Sequence, residues 1–245
     1  MARLVLITSF LSLISLSSMA ADKSEKIGGV NFESNKEGDI RTYEAKTTKE
    51  FAHPVQTVRK AITNFANKCN NEYKDKRKFS SLTSDCKFHN ANFIETFYVT
   101  ALKQKTYPRE IGETQRFLMG RRAYNRGEFG YYEIVKIFES KNDKGLTTIK
   151  IVQEMLDNEQ VAIFTEPKFS RESAFDKSKT TFTLTEIEPM KTLVTYSYQA
   201  QTTHWVLNKE LSIPQVFASI NQSVKDLLTT VDQESQIYRT LASEK

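Results

Sequence analysis

The chain has 245 residues, 27% charged and 39% hydrophobic, with a formal net charge of +5 at pH 7. That length admits one large domain or two small ones, and no basic stripe with interleaved aromatics points to nucleic acid as a partner. No stretch reaches the roughly 20 apolar residues that a membrane-spanning helix needs.

Residues 1–20 read as a secretory signal peptide. Arg3 is the basic start, Leu4 to Leu16 is a short apolar run, and Ser18-Met19-Ala20 before Ala21 is a small-residue cleavage site. No cysteine lies beside that site, so a lipid-anchored form is not expected. The expected location is outside the cytoplasm, in a bacterial periplasm. Losing residues 1–20 removes Arg3 and no acid, taking the formal charge from +5 to +4.

Residues 21–39 are polar, with Gly28, Gly29 and Gly38, and predict a poorly ordered arm. Residues 40–245 carry no Pro/Gly/Ser linker and no internal repeat, and predict a single domain. Ile40 to Phe51 alternates as a first strand. His53-Pro54 then opens a helix with Val55, Val58, Ile62, Phe65 and Cys69 on one face. A second short helix is predicted over residues 72–80.

Cys69 and Cys86 are the two cysteines. In an oxidising compartment such a pair forms a disulfide. A metal site joining both to His89 would hold three ligands without a fourth, a poor structural zinc site.

From Ala91 the pattern turns to strands: 92–102, 113–124, 129–138, 146–156, 160–165, 180–187 and 192–201. Asn142 to Gly145 and Glu188-Pro189 are turn signals between them. Several strands are apolar on both faces, although an antiparallel sheet normally keeps one face wet. The last element is a helix from Ile213 to about Ala242. Pro214 suits its first turn, and Val216, Phe217, Ile220, Val224, Leu227, Leu228 and Val231 form one stripe. Strands bracketed by helices indicate an α+β fold: a curved antiparallel sheet of about seven strands gripping the C-terminal helix.

Three stretches carry a resemblance. They are the strand Ile40–Phe51 with the helix from Pro54 to Phe65, the hairpin Phe182–Glu186, Pro189, Thr192–Ala200, and Trp205 leading to Pro214 and the last helix. Together they resemble the START-like helix-grip superfamily, also called SRPBCC, which includes lipid-transfer and polyketide cyclase-like proteins. The family often has its Trp and Pro close together; here they stand at 205 and 214. The resemblance implies an apolar cavity between sheet and helix that holds a hydrophobic or amphipathic small molecule.

The residues nominated as ligand contacts are Tyr98, Phe117, Ile151, Phe182, Tyr196, Tyr198, Trp205, Phe217, Ile220 and Val224. The tyrosines among Tyr98, Tyr131, Tyr132, Tyr196 and Tyr198 offer an apolar body with a hydroxyl that can orient a polar group.

No nucleophile elbow, P-loop, dinucleotide fingerprint or HExxH pattern occurs, so no catalytic residue, cofactor or metal is nominated. A cyclase or hydrolase would draw on Glu133, Glu154 or His204; Glu95 is a further strand carboxylate. His53 reads as a partly exposed cap residue and His89 as a turn residue. Arg116, Arg121, Arg122 and Arg126 read as a solvated face. The other use of that basic region is peripheral contact with an anionic envelope surface by a module without a cavity.

Overall fold

A computed structural model describes residues 23–63, 95–98, 109–124, 128–156 and 175–243. The signal segment, both cysteines, His89, Arg126, the helix over 72–80 and the strand over 160–165 lie outside the described residues.

The strands are β1 (Lys23–Ile27), β2 (Val30–Glu37), β3 (Ile40–Phe51), β4 (Glu95–Tyr98), β5 (Glu113–Tyr124), β6 (Glu128–Lys141), β7 (Thr147–Met155), β8 (Lys177–Glu188) and β9 (Lys191–Thr202). They form one sheet in the order β1-β2-β3-β9-β8-β7-β6-β5-β4, and every neighbouring pair is antiparallel. Helix α1 (Val55–Thr63) follows β3, and helix α2 (Ile213–Ser243) ends the described chain.

The curved antiparallel sheet and its C-terminal helix are as expected, and among the described residues the sheet has nine strands, close to the seven or so expected. One expectation changes. The segment 21–39, expected as a loose arm, carries β1 and β2. Val30, Phe32 and Ser34 alternate inward and are buried. Gly28 and Gly29 both hold positive φ, 57° and 89°, which a two-residue type I′ hairpin turn requires. The glycines that resemble a flexible arm in sequence are the turn itself.

Alternation builds the other strands. In β8, Phe182 and Leu184 point inward while Thr181, Thr183 and Thr185 stay partly exposed. In β9, Thr192, Val194 and Tyr196 are buried, with Leu193, Thr195 and Ser197 between them partly exposed. Before β7, Asn142 Oδ1 accepts the backbone N–H groups of Lys144 and Leu146, both at 3.0 Å, an Asx-type turn.

Helix α2 buries Val216, Phe217, Ile220, Val224, Leu228 and Val231, six of the seven stripe positions; Leu227 is partly buried against the same core. It packs on β2, β3 and α1. The Phe217 ring stacks on Phe32 at 5.0 Å and meets Tyr43 edge-on at 6.2 Å. Burial of one such ring stabilises the fold by about 1.5–3 kcal/mol. Further along, α2 meets the chain between β3 and α1. His53 Nε2 lies 3.0 Å from Asp232 Oδ1, and Arg239 donates to the Ala52 carbonyl at 3.3 Å. His53 is therefore buried, not a partly exposed cap residue. Thr192 Oγ1 also donates to its carbonyl at 2.8 Å.

Helix α1 turns Val55, Val58, Ala61 and Ile62 into the core and lies on β7, β8 and β9. Arg59 reaches Glu139 at 3.2 Å and Gln115 at 2.7 Å. The two helices thus cover one side and one end of the inner face of the sheet.

Candidate ligand-binding face

Strand register lays Phe117, Val135, Gln153, Thr180, Tyr198, Ala45 and Phe32 in one row across the inner face. The next row along β5–β7 is Met119, Glu133 and Met155. Phe217 of α2 stacks on Phe32 at one end of the first row. The α1 bonds to Gln115 and Glu139 lie at the far end of β5 and β6. The stretch from Phe117 to Tyr198 lies between.

Tyr198 sets this stretch apart. On β9 its inward neighbours Thr192, Val194, Tyr196, Ala200 and Thr202 are all buried, but Tyr198 keeps accessible surface. Its hydroxyl is nevertheless desolvated, and burial alone pushes it well above the ordinary tyrosine value of 10.0. Tyr198 and Phe117 pack against the core cluster without being closed over by it. Thr180, Met155 and Phe117 face the same way and also keep accessible surface.

Polar groups are set sparsely into this face. Gln153 is buried between Val135 and Thr180 in register. Glu133 is only 5% exposed and sits on the same face as Val135 and Ile137. Few polar atoms in an apolar wall orient a ligand without repelling its hydrocarbon.

The nominated contacts divide. Phe117 and Tyr198 lie on the candidate face. Tyr98 pairs with Met119 from the edge strand β4, in register with that face. Ile151, Phe182, Tyr196, Phe217, Ile220 and Val224 are buried in the core, consumed by packing of sheet against helix. Trp205 is 70% exposed on the loop before α2, away from this face. Sequence reasoning missed Gln153, Thr180 and Val135. Gln153 left a signal: β7 runs Ile149, Ile151, Gln153 on one face, and a polar residue on an apolar face is the informative exception.

The catalytic alternatives divide as well. Glu154 faces outward, bonded by Lys136 and Lys179, each at 2.7 Å. Burial raises its pKa, but those bonds and charges outweigh it and hold the carboxyl below the ordinary 4.5. A carboxylate so held is a poor base at neutral pH. His204 is exposed. Arg116 is bonded to Glu113 at 2.6 Å through Nε. Among the described residues no cluster of ligands suits a metal ion.

An open hollow of about 500 Å3 lies on the outer face, lined by Lys136, Val152, Glu154, Lys179 and Thr183 among others. Four of its charges pair within it, since Lys136 also bonds Glu110 at 2.6 Å. We place the candidate site on the inner face, where the walls are apolar and the polar groups few.

No family model and no curated protein matches the sequence. Solved structures do match. Human StAR-related lipid transfer protein 5 aligns over 90% of this chain and 88% of its own, with a TM-score of 0.50 and 8% identity. The fold is START-like helix-grip. Within the START-like set, a STAR-related lipid transfer protein from Xanthomonas axonopodis aligns over 88% of this chain and 98% of its own, with a TM-score of 0.47 and 9% identity. An aromatase/cyclase from Streptomyces sp. R1128 aligns over 80% and 94%, with a TM-score of 0.41 and 9% identity. At such identities the likeness is one of START-like architecture alone.

Proposed function

We propose that this protein binds a hydrophobic or amphipathic, lipid-like small molecule on the inner face of the sheet. Phe117, Val135 and Met155 give apolar contact, and Tyr198, Thr180 and Gln153 hold a polar group. The observation that carries this reading is Tyr198, desolvated yet accessible in a row of buried neighbours. The START-like fold supports it, because human StAR-related lipid transfer protein 5, which aligns over 90% of this chain, is named for lipid transfer. We place this binding outside the cytoplasm, in a bacterial periplasm, because of the leader-like residues 1–20.

Native mass spectrometry of protein purified from periplasm tests both parts. The expected result is a chain starting at Ala21 with an added mass that solvent extraction removes. A further loss of hydrogen mass should be restored by reduction, marking the Cys69–Cys86 disulfide. Tyr198→Trp, which fills the space, should abolish uptake of fluorescent lipid analogues at unchanged melting temperature. Uptake unaffected by that change would reject this site, and no uptake by the unaltered chain would leave a module with a solid core.

A second reading, catalysis in the same space, has Glu133 in its favour as a buried inner-face carboxylate. If Glu133→Gln protein yields a chemically different extracted ligand, Glu133 acts on it. Identical ligands from both proteins would reject catalysis by Glu133.

A further inference from the structure

The loop from Thr203 to Ser212, between β9 and α2, combines rigidity with exposed apolar side chains. Tyr43 donates to the Leu207 carbonyl at 2.5 Å, and Arg41, itself 1% exposed, donates to the Asn208 carbonyl at 3.1 Å. Asn208 donates to the Asp39 carbonyl, and Ser212 Oγ to the Val206 carbonyl at 2.7 Å. At its start, Asp176 accepts from the Thr203 backbone N–H at 2.6 Å. The bonds at the Leu207, Asn208 and Val206 carbonyls and at the Thr203 N–H fix the loop backbone.

The loop holds Trp205 70% exposed and Leu211 89% exposed, with Val206 and the nearby Ile40 also uncovered. Lys209 Nζ stands 4.8 Å from the Trp205 ring centroid, and the His204 ring stacks beside it. Exposing such residues on a pinned loop loses hydrophobic free energy that a partner would recover.

We propose that this loop is a membrane-docking surface, inserting Trp205 and Leu211 into the interfacial layer of a lipid bilayer. Three features favour a bilayer over a protein. The apolar residues protrude, and a fluid bilayer accepts protrusions without a pocket shaped to each. Tryptophan with a cation over its ring matches the headgroup level, where the indole sits between water and hydrocarbon and a lysine reaches outward. The fixed backbone removes most of the ordering cost of insertion. Local charge is mixed, Lys209 against Glu210 and Asp39, so apolar insertion drives docking. The proposal stands apart from ligand binding, although the same loop is bonded to Tyr43 of the inner face.

Trp205 is the single tryptophan of the chain, so its emission reports on this loop alone. Unaltered protein is titrated with phosphatidylcholine vesicles, with and without bromine-labelled acyl chains. The expected result is a blue shift, quenched by bromine. Leu211→Glu should weaken partitioning about tenfold, as removal of one inserted leucine implies. Its melting temperature should not move, because Leu211 makes no core contact. Partitioning should change less than about twofold between roughly 0.05 and 0.5 M salt, because screening acts on charge. Unchanged emission, a shift that Leu211→Glu leaves intact, or binding abolished by salt would each overturn the proposal. Uptake of a soluble lipid analogue, measured in parallel, reports on the inner face independently.

Discussion

His53 and Asp232 join the two helices: the buried imidazole just before α1 lies 3.0 Å from a carboxylate oxygen of α2. Removing the acid strands a buried polar ring. We expect Asp232→Ala to lower stability by about 1–2 kcal/mol, the usual cost of an unsatisfied buried group. Lys49, exposed and 3.7 Å from the same carboxylate, should matter by less than about 0.5 kcal/mol when changed to alanine. Urea unfolding of both variants separates the buried contact from the exposed one.

The acid limb of stability should trace to Glu113 and Glu154. For Glu113, burial opposes ionisation, but bonds from Arg116 and the Glu110 N–H, with the charges of Arg116 and Arg109, outweigh it. Both carboxyls lie below the ordinary 4.5 in the folded protein. Their stabilisation is complete above that value and is lost as pH falls through the depressed folded values. Lys136 behaves oppositely. Burial lowers its pKa, Glu110 and Glu154 raise it further, and the net value lies above 10.5. Its contribution is complete below 10.5 and is lost as pH rises through the folded value. Urea midpoints taken from about pH 7 to about pH 3 should fall less steeply in Glu154→Gln than in the unaltered protein.

At the alkaline end, Tyr198 and Tyr43 should act together. Burial raises both above 10.0, Arg41 partly offsetting the effect at Tyr43. Unfolded tyrosines ionise first, so stability should decline above about pH 10. In Tyr198→Phe that decline should be shallower, and affinity for a headgroup-bearing ligand should drop about three- to tenfold with one hydrogen bond lost. An unchanged alkaline limb in this variant would place the phenol in solvent.

Phe217 should be the most costly truncation on α2. It sits between Phe32 and Tyr43 with no exposure, and Phe217→Ala should cost about 3–5 kcal/mol. Chemical denaturation checks this. A loss below about 1 kcal/mol would mean that the β2–β3 side of the sheet is not closed by α2.

Much of the architecture was legible because period and length both spoke clearly. The stripe from Val216 to Val231 needs a long helix, and the Thr/apolar alternation of β8 and β9 fits only a half-covered strand. The β1–β2 hairpin was not legible. Its inward set is just Val30, Phe32 and Ser34, and its turn glycines carry the same composition as a mobile arm. Ligand contacts were harder still. A residue at the right parity can be fully buried, like Phe182, or left partly exposed, like Tyr198. The difference depends on where α1 and α2 stop along the strands, which parity does not encode. Trp205 shows the same limit, because aromatic character does not say which side of a loop a ring takes.

The hairpin that resembled an arm also changes how this molecule meets its own copies. The sheet is open, and β1 is the strand at one end of it. It is five residues long, reads KSEKI, and is exposed along its first four positions. A short, charged terminal strand is a poor template for another chain. Without it, the longer β2, bearing Phe32, would offer its backbone groups instead. The polar strand β1 therefore acts as a guard against strand-by-strand polymerisation, and deletion of residues 23–27 should be seen first as light scattering.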